Sequence, residues 1–420
     1  MKETVQSHSS RNLDEWLSYL ESIHSTEIDM GLERISKVAE NLAIEFEFTQ
    51  VITVAGTNGK GTTCAFLENA ILAEDRSVAV YSSPHIEKFN ERLRINKQDV
   101  DDKAFILAFE NIEQSRGDIS LTYYEYTTLA ALLIIMVEKP DFAILEVGLG
   151  GRLDATNIID ADIAVITTVD LDHQAFLGDN RESIGFEKAG IMRAGQRVVI
   201  GDKHPPQSVL AHAKQLNTQV YIRGVDFNVD LNELAHGWGW QSHNYTFNRL
   251  PQPFIPRDNI ATAIMVLELL GINVDETKLV SLIISTKVAG RTELIAGHCK
   301  IMLDVGHNPL AARYLVEQIP LLSATKVHAV VAMLADKDIF NTLNPLLAAV
   351  DCWYMASLDI PRGANAEQLK SHISNSTNQI LTFDNVIDAY KMALSQAKES
   401  DLILVFGSFF TVAQVKGFLN

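Results

Sequence analysis

The chain has 420 residues, of which 47% are apolar and 21% charged, and its formal net charge is -18. That length favours two domains with buried cores. The acidic balance argues against general attraction to nucleic acid or anionic membrane and leaves room only for a local basic cleft. Cys64, Cys299 and Cys352 stand far apart with no CxxC pair, so neither a zinc knot nor a disulfide framework is expected. The N-terminus lacks a signal-peptide pattern, and the longest apolar run, Leu129 to Val137, falls short of the roughly 18 residues that span a bilayer. A cytoplasmic protein is expected.

Apolar residues recur at helical spacing from Leu13 to Ile44. QVITVAG (50–56) is a β-branched run ending in glycine and TTCAFLENAILAE (62–74) has helical periodicity, so this stretch reads strand, glycine loop, helix. SVAVYSS (77–83) follows as a strand, AFILAFENIEQ (104–114) as a helix, and TTLAALLIIMVE (127–138) as a buried helix. DFAILEVG (141–148) and ADIAVITTV (161–169) have the continuous apolar character of interior parallel strands. From about Gln219 to Leu250, short aromatic runs alternate with turn residues, which suggests a small β-rich excursion. DNIATAIMVLELLGI (258–272) is a helix with an acidic start.

After residue 297, KIMLDVG, VHAVVAML, CWYMASL, ILTFD and DLILVFGS are strands separated by helical stretches. The expectation is an α/β protein. Residues 1–292 form a phosphate-loop ATPase domain on a mostly parallel sheet, and 293–420 a smaller Rossmann-like domain.

The glycine loop, GTNGKGTT (56–63), fails the Walker A pattern. Val54 stands five positions before Gly59, and Gly61 follows Lys60 where Ser or Thr belongs. The physics of a phosphate cradle is nonetheless present: three glycines permit close backbone approach, the helix offers its N-terminus to an anion, and Lys60 supplies a cation. The alternative is a glycine-rich turn without a ligand.

Glu146 at a strand end is a candidate metal ligand, because ligands of open α/β sheets gather there and hard cations take oxygen donors. Ser82, Ser83 and His85 end another strand; Asp170, Asp172 and His173 end a third. A histidine in such a place is commonly a hydrogen-bonded structural group, and the convergence of four strand ends favours a site instead. NKQD (96–99) matches the guanine-reading NKxD of GTPases. It follows a charged run and precedes Glu146, so it reads as a polar turn.

GTNGKGT, SSPH followed by NER, EVGLGGRLDATN, LDH and ESIGFEKAGI, then RDNIATA, AGRTEL, DVGHNP, LADKD and GSFFTV, together resemble the folylpolyglutamate synthases of the Mur-ligase-like superfamily. The order matches over essentially the whole chain. SYLESIHSTEIDMGLERI and ISLTYYEYTTL resemble the bifunctional bacterial form, which is also a dihydrofolate synthase.

The resemblance implies ATP-dependent joining of L-glutamate to dihydropteroate and to the γ-carboxylate of tetrahydrofolate derivatives, through an acyl phosphate. By it Thr57, Asn58, Gly59 and Lys60 hold ATP phosphates, and Asn259, Arg291 and Asp304 complete the ATP site. Ser83, Glu146 and His173 bind Mg2+, with a second Mg2+ fixed through a carbamylated Lys188. Asp29, Met30, Gly31, Leu32, Thr122, Tyr123 and Tyr124 line the dihydropteroate site, and Asp154 meets the pterin. His307 contacts glutamate or the intermediate, so Lys60, Lys188, His173 and His307 form the catalytic set. A monomer with no nucleic-acid or membrane partner is implied.

Without the resemblance, Tyr124 reads equally well as core and Lys188 as a solvated helix residue. Ala289, Phe410 and Phe186 depart from the family pattern without removing an implied ligand. Two other classes remain: a GTP-dependent switch reading NKQD, and a cell-wall Mur ligase. The latter's UDP-sugar-binding domain does not fit in the roughly 50 residues before the loop.

Overall fold

The structure, a computed structural model, describes residues 11–24, 26, 28–232, 237–272, 275–373 and 378–419. Strands β1 (Gln50–Ala55), β2 (Val78–Tyr81), β3 (Leu93–Ile95), β4 (Gln98–Asp99), β5 (Phe142–Glu146), β6 (Ile163–Ile166), β7 (Arg197–Ile200) and β8 (Gln219–Ile222) form one sheet in the order β4-β3-β2-β5-β1-β6-β7-β8. From β2 to β8 the pairing is parallel; the β3–β4 hairpin adds an antiparallel edge.

The continuous apolar runs of β5 and β6 follow from burial on both faces. Ile52, Val54, Val80, Ile144 and Val165 point to a core shared with helices Lys60–Leu72 and Arg257–Leu270. Val51, Ala79, Tyr81 and Leu145 point the other way, to helices Asp102–Arg116 and Tyr123–Glu138.

The excursion after residue 219 divides. Its first run is β8 of the large sheet, and β9 (Asn228–Asn232), β10 (Gly237–Gln241) and β11 (Thr246–Leu250) form a separate antiparallel sheet. Trp240 on β10 is fully buried and its indole N–H donates to the Ala261 carbonyl at 3.1 Å, tying this small sheet to helix Arg257–Leu270.

A second sheet holds β12 (Glu293–Ala296), β13 (Lys300–Asp304), β14 (Val327–Val331), β15 (Cys352–Ala356), β16 (Gln379–Phe383) and β17 (Leu402–Phe406), in the order β12-β13-β17-β14-β15-β16. All its pairs are parallel except β12–β13. The expected fold class is therefore what the chain adopts.

Three local features differ from the sequence reading or sharpen it. The helical pattern of the first segment breaks into Leu13–Ser22 and Glu33–Asn41. β12 and the β3–β4 hairpin carry no apolar run because they are edge strands with one side toward solvent. Asn96 and Lys97, with φ of 51° and 65°, are the two central residues of that hairpin's turn and Gln98–Asp99 are β4, so NKQD is a polar turn running into an edge strand. Among the described residues, no helix is long and apolar enough to cross a membrane.

Candidate active site

The loops after β2, β5, β1 and β6 leave the sheet side by side, at the carboxyl ends of four adjacent parallel strands. The glycine loop joins β1 to helix Lys60–Leu72 and is strapped to the loop after β6. Thr57 N donates to the Thr168 carbonyl at 2.8 Å, Thr57 Oγ1 to the Asp170 carbonyl at 2.9 Å, and Thr167 Oγ1 to the Asn58 carbonyl at 2.6 Å. Gly59 has φ 89°, and a Cβ there would lie 2.4 Å from Asn259 Oδ1. Only glycine meets both demands. Asn259 is itself fixed by donating to Thr62 Oγ1 at 2.8 Å. Lys60 Nζ donates back to the Gly56 carbonyl at 2.9 Å, at the head of the helix.

A cavity of about 260 Å³ opens above this loop. It is lined by Thr57 to Lys60, Ser83, Glu146, His173, Lys188, Asn259, Arg291, Asp304 and His307. Glu146 is placed by register: it pairs with Val54, just before the loop. It is 5% exposed and burial raises its carboxyl, with Lys60, Arg291 and Arg94 pulling back.

Lys188 is 3% exposed, on the last turn of helix Arg181–Ala189. This contradicts the solvated position that its residue type suggests. Desolvation, reinforced by the Lys60 charge, pushes its ammonium down to about 7. His173 is pushed down to about 4, by burial first and by Lys337 and His307 after it, against the pull of Asp172. A buried carboxylate, the Ser83 hydroxyl and a neutral imidazole line one cavity and are of the donor types a divalent cation takes; among the described residues the Asp172, His173 and His307 ligand atoms lie within 4.8 Å of one another.

The second sheet closes the far wall. Asp304, at the end of β13, accepts from Thr292 N at 2.8 Å and Gly306 N at 2.7 Å. The Arg291 guanidinium lies 5.1 Å from the Phe409 ring centroid. His307 Nδ1 donates to the Val305 carbonyl at 2.9 Å, which turns Nε2 toward Asp172 Oδ2 at 3.5 Å.

Asp172 is a residue that sequence reasoning passed over as a ligand. Its carboxylate receives Lys337 Nζ at 2.7 Å and Asn308 Nδ2 at 3.0 Å as well. Burial pushes its carboxyl up, but His307, Lys337 and His173 together hold it far below the usual range. Asn308 also meets Asn58 of the glycine loop, amide to amide, at 2.8 and 2.9 Å. LDH, HNP and DKD were each visible as motifs; nothing in the linear sequence pairs an aspartate with a lysine 165 residues away.

None of the remaining expected residues lines this cavity; Tyr124, Asp154 and Met30 touch its wall at Gly148, Leu149 and Gly150. Tyr124 stacks on Tyr81 at 6.4 Å and 27°, and its hydroxyl donates to Asp154 Oδ1 at 3.3 Å. Asp154 is buried, held by Leu149 N at 2.8 Å and by the Thr156 hydroxyl at 2.7 Å, and desolvation raises its carboxyl. Thr122 caps helix Tyr123–Glu138, and Tyr123 faces the Arg92 guanidinium at 5.4 Å. Met30 and Leu32 pack against the neighbouring apolar clusters. A Cβ at Gly31 would meet nothing within 4 Å, and the Asp29 carboxylate pairs with Arg34 at 2.7 Å.

Comparison with known proteins places this geometry. Residues 54–234 match the Mur ligase middle domain, and 290–409 match the Mur ligase, glutamate ligase domain. The dihydrofolate synthase/folylpolyglutamate synthase of Escherichia coli K12 is 45% identical over 416 residues, covering 99% of this chain and 97% of that protein. The chain belongs to the dihydrofolate synthase/folylpolyglutamate synthase family of Mur ligases.

Two solved members of that family superpose over 98% of both chains at 44% identity. One is Escherichia coli FolC in complex with DHPP and ADP, with a TM-score of 0.93. The other is a bifunctional folylpolyglutamate synthase/dihydrofolate synthase with Mn, AMPPNP and L-glutamate bound, at 0.91.

Proposed function

We propose that this chain joins L-glutamate to 7,8-dihydropteroate and to the γ-carboxylate of reduced folates, each through an acyl phosphate made from ATP. The observation that carries the reading is the one cavity where a glycine loop, a buried carboxylate, a neutral imidazole and a lysine whose ammonium burial pushes down to about 7 face residues of the second sheet, in a family member matched end to end.

A carboxylate is a poor electrophile because oxide is a poor leaving group. Its oxygen attacks the γ-phosphorus of ATP, the bond to the β-γ bridging oxygen breaks, and ADP leaves. Thr57, Asn58, Gly59 and Lys60 hold the phosphates, and Lys60 with the helix N-terminus balances charge on the transferring group. Ser83, Glu146 and His173 would hold Mg2+, which would neutralise phosphoryl charge. Asn259, Arg291 and Asp304 complete the nucleotide site.

The amine of glutamate, near His307, then attacks the acyl carbon through a tetrahedral intermediate. Inorganic phosphate leaves and the ammonium proton passes to solvent or phosphate. Enclosure by the second sheet keeps water from the acyl phosphate.

Lys188, carbamylated on its neutral amine, becomes an anion suited to a second Mg2+. Dihydropteroate lies along Asp29 to Leu32 and Thr122 to Tyr124, with its pterin at Asp154. The chain works as a cytoplasmic monomer on small molecules. Its two domains are 1–292 and 293–420, a division supported by the second sheet beginning at Glu293.

Phosphate release from ATP, with magnesium, L-glutamate and either dihydropteroate or tetrahydrofolate, tests the reading. Release that needs both organic substrates, with each acid, is expected. Release with tetrahydrofolate alone removes the dihydropteroate assignment, and release with neither acid removes the ligase.

A further inference from the structure

We infer that Arg34 is a positioning residue for the dihydropteroate reaction: it holds the Asp29–Leu32 segment and the helix turn carrying Tyr124 together as one wall, and the tetrahydrofolate reaction does not depend on it. The inference rests on the pterin-site reading above.

Arg34 lies in the first turn of helix Glu33–Asn41. Its Nη2 donates to the Asp29 carbonyl at 2.9 Å and to Glu125 Oε1 at 3.1 Å, and its Nη1 lies 2.7 Å from Asp29 Oδ2. Glu125 is buried, and its other oxygen accepts from Thr122 N at 2.8 Å while its own N–H donates to Thr122 Oγ1 at 3.1 Å. One carboxylate therefore closes the start of helix Tyr123–Glu138 and holds the guanidinium. Tyr124 is the residue before it, with its hydroxyl on Asp154.

On the other side, His24 Nε2 stands 3.4 Å from Asp29 Oδ2, and His24 Nδ1 is 2.7 Å from Ser120 Oγ. The Asp29 carboxylate, 42% exposed, is held on one side by Arg34, with His24 beside it. A planar guanidinium can serve two carboxylates and a carbonyl at once; an ammonium lacks that fork.

The selectivity follows from the two acids. Dihydropteroate carries its reacting carboxylate on the aryl ring. A folate carries it one glutamyl unit further out, roughly 5 Å of chain. A single phosphoryl donor cannot meet both carboxylates with the pterin in one pocket. The Tyr124 hydroxyl packs against Gly148, two residues beyond Glu146, so this wall is close to the phosphate loop and suits the shorter acid.

The experiment is steady-state kinetics of full-length Arg34→Gln, Arg34→Lys and Glu125→Gln with each acid, beside their melting curves. Arg34→Gln is expected to raise the dihydropteroate KM about 10- to 100-fold, the scale of charged hydrogen bonds, with kcat and the tetrahydrofolate and ATP KM values unchanged. Arg34→Lys recovers part of the loss. Equal losses with both acids, or no change with either, overturn the inference.

Tyr124→Ala and Asp154→Asn run in parallel. If these too leave the dihydropteroate KM unchanged, the pterin-site reading is what fails. If they raise it and Arg34→Gln does not, only the positioning role falls. Should Arg34→Gln not fold, Glu125→Gln, which keeps a capping oxygen and loses the charge, must show the same split between acids.

Discussion

Lys188 reads as an ordinary helix lysine in the sequence, and its burial against the cavity was not legible because nothing local in ESIGFEKAGI marks which helix face meets the sheet. The fold buries it and lowers its basicity. Its depressed value, about 7 against 10.5 for an ordinary lysine, means the unfolded chain binds more protons than the folded one between those limits. Stability should therefore rise with pH across that window, and the full cost of burying the ammonium is present below it.

Lys188→Met should melt above the wild type near pH 6, in metal- and carbonate-free buffer, with the advantage shrinking as pH climbs through 7 toward 10.5. A constant advantage would show that Lys188 is protonated throughout. The neutral amine is also what reacts with CO2, so a 13C-bicarbonate NMR signal for a carbamate is expected above pH 7 and absent from Lys188→Met. Lys60, by contrast, was legible from its place after Gly59. Lys60→Ala should lower both amide-forming rates by at least about 10²- to 10³-fold without changing the circular dichroism spectrum.

The strand, glycine loop and helix of residues 50–72 were readable as a unit because each part has its own signal: β-branched run, glycines, helical periodicity. What the pattern does not carry is the partner. Asn259, 200 residues later in the chain, packs against Gly59 so tightly that a methyl group has no room, and the φ of 89° adds strain of its own. Gly59→Ala should cost roughly 1–3 kcal/mol and remove ADP binding, read by melting temperature and by titration with a fluorescent nucleotide. Gly61→Ala is the comparison: its Cβ would meet Glu146 Oε2 at an ordinary 3.6 Å, so its melting temperature should barely move. Similar losses in both would mean the loop tolerates no side chain for reasons other than backbone geometry and Asn259. Edge elements behaved oppositely: β12 and β3–β4 escaped notice because half-exposed strands lack the apolar run that made β5 and β6 plain.

At the scale of the whole molecule, the most buried charged contact between the two sheets gathers on one carboxylate, Asp172. Asp172 comes from the loop after β6, while Lys337, His307 and Asn308 come from loops of the second sheet, and Asn308 continues to Asn58 in the phosphate loop. The Asp172 and Lys337 side chains are 9% and 6% exposed, so salt screens this pair little and an unpaired partner is costly. Asp170–Arg313, at 2.7 Å but with the arginine half exposed, spans the same interface and is worth little by comparison.

Asp172→Asn, which keeps the shape and removes the charge, should lower kcat with both acids about 10- to 100-fold, as expected for breaking a charged hydrogen bond. ADP affinity should stay near the wild-type value, and the ADP-bound enzyme should scatter X-rays as a larger particle. Arg313→Ala should leave all three close to wild type. If ADP affinity instead falls as far as kcat, Asp172 acts locally, through His173 beside it. If turnover falls with no change in particle size, its part is to orient His307 and Lys337 over the acyl phosphate within sheets that stay docked.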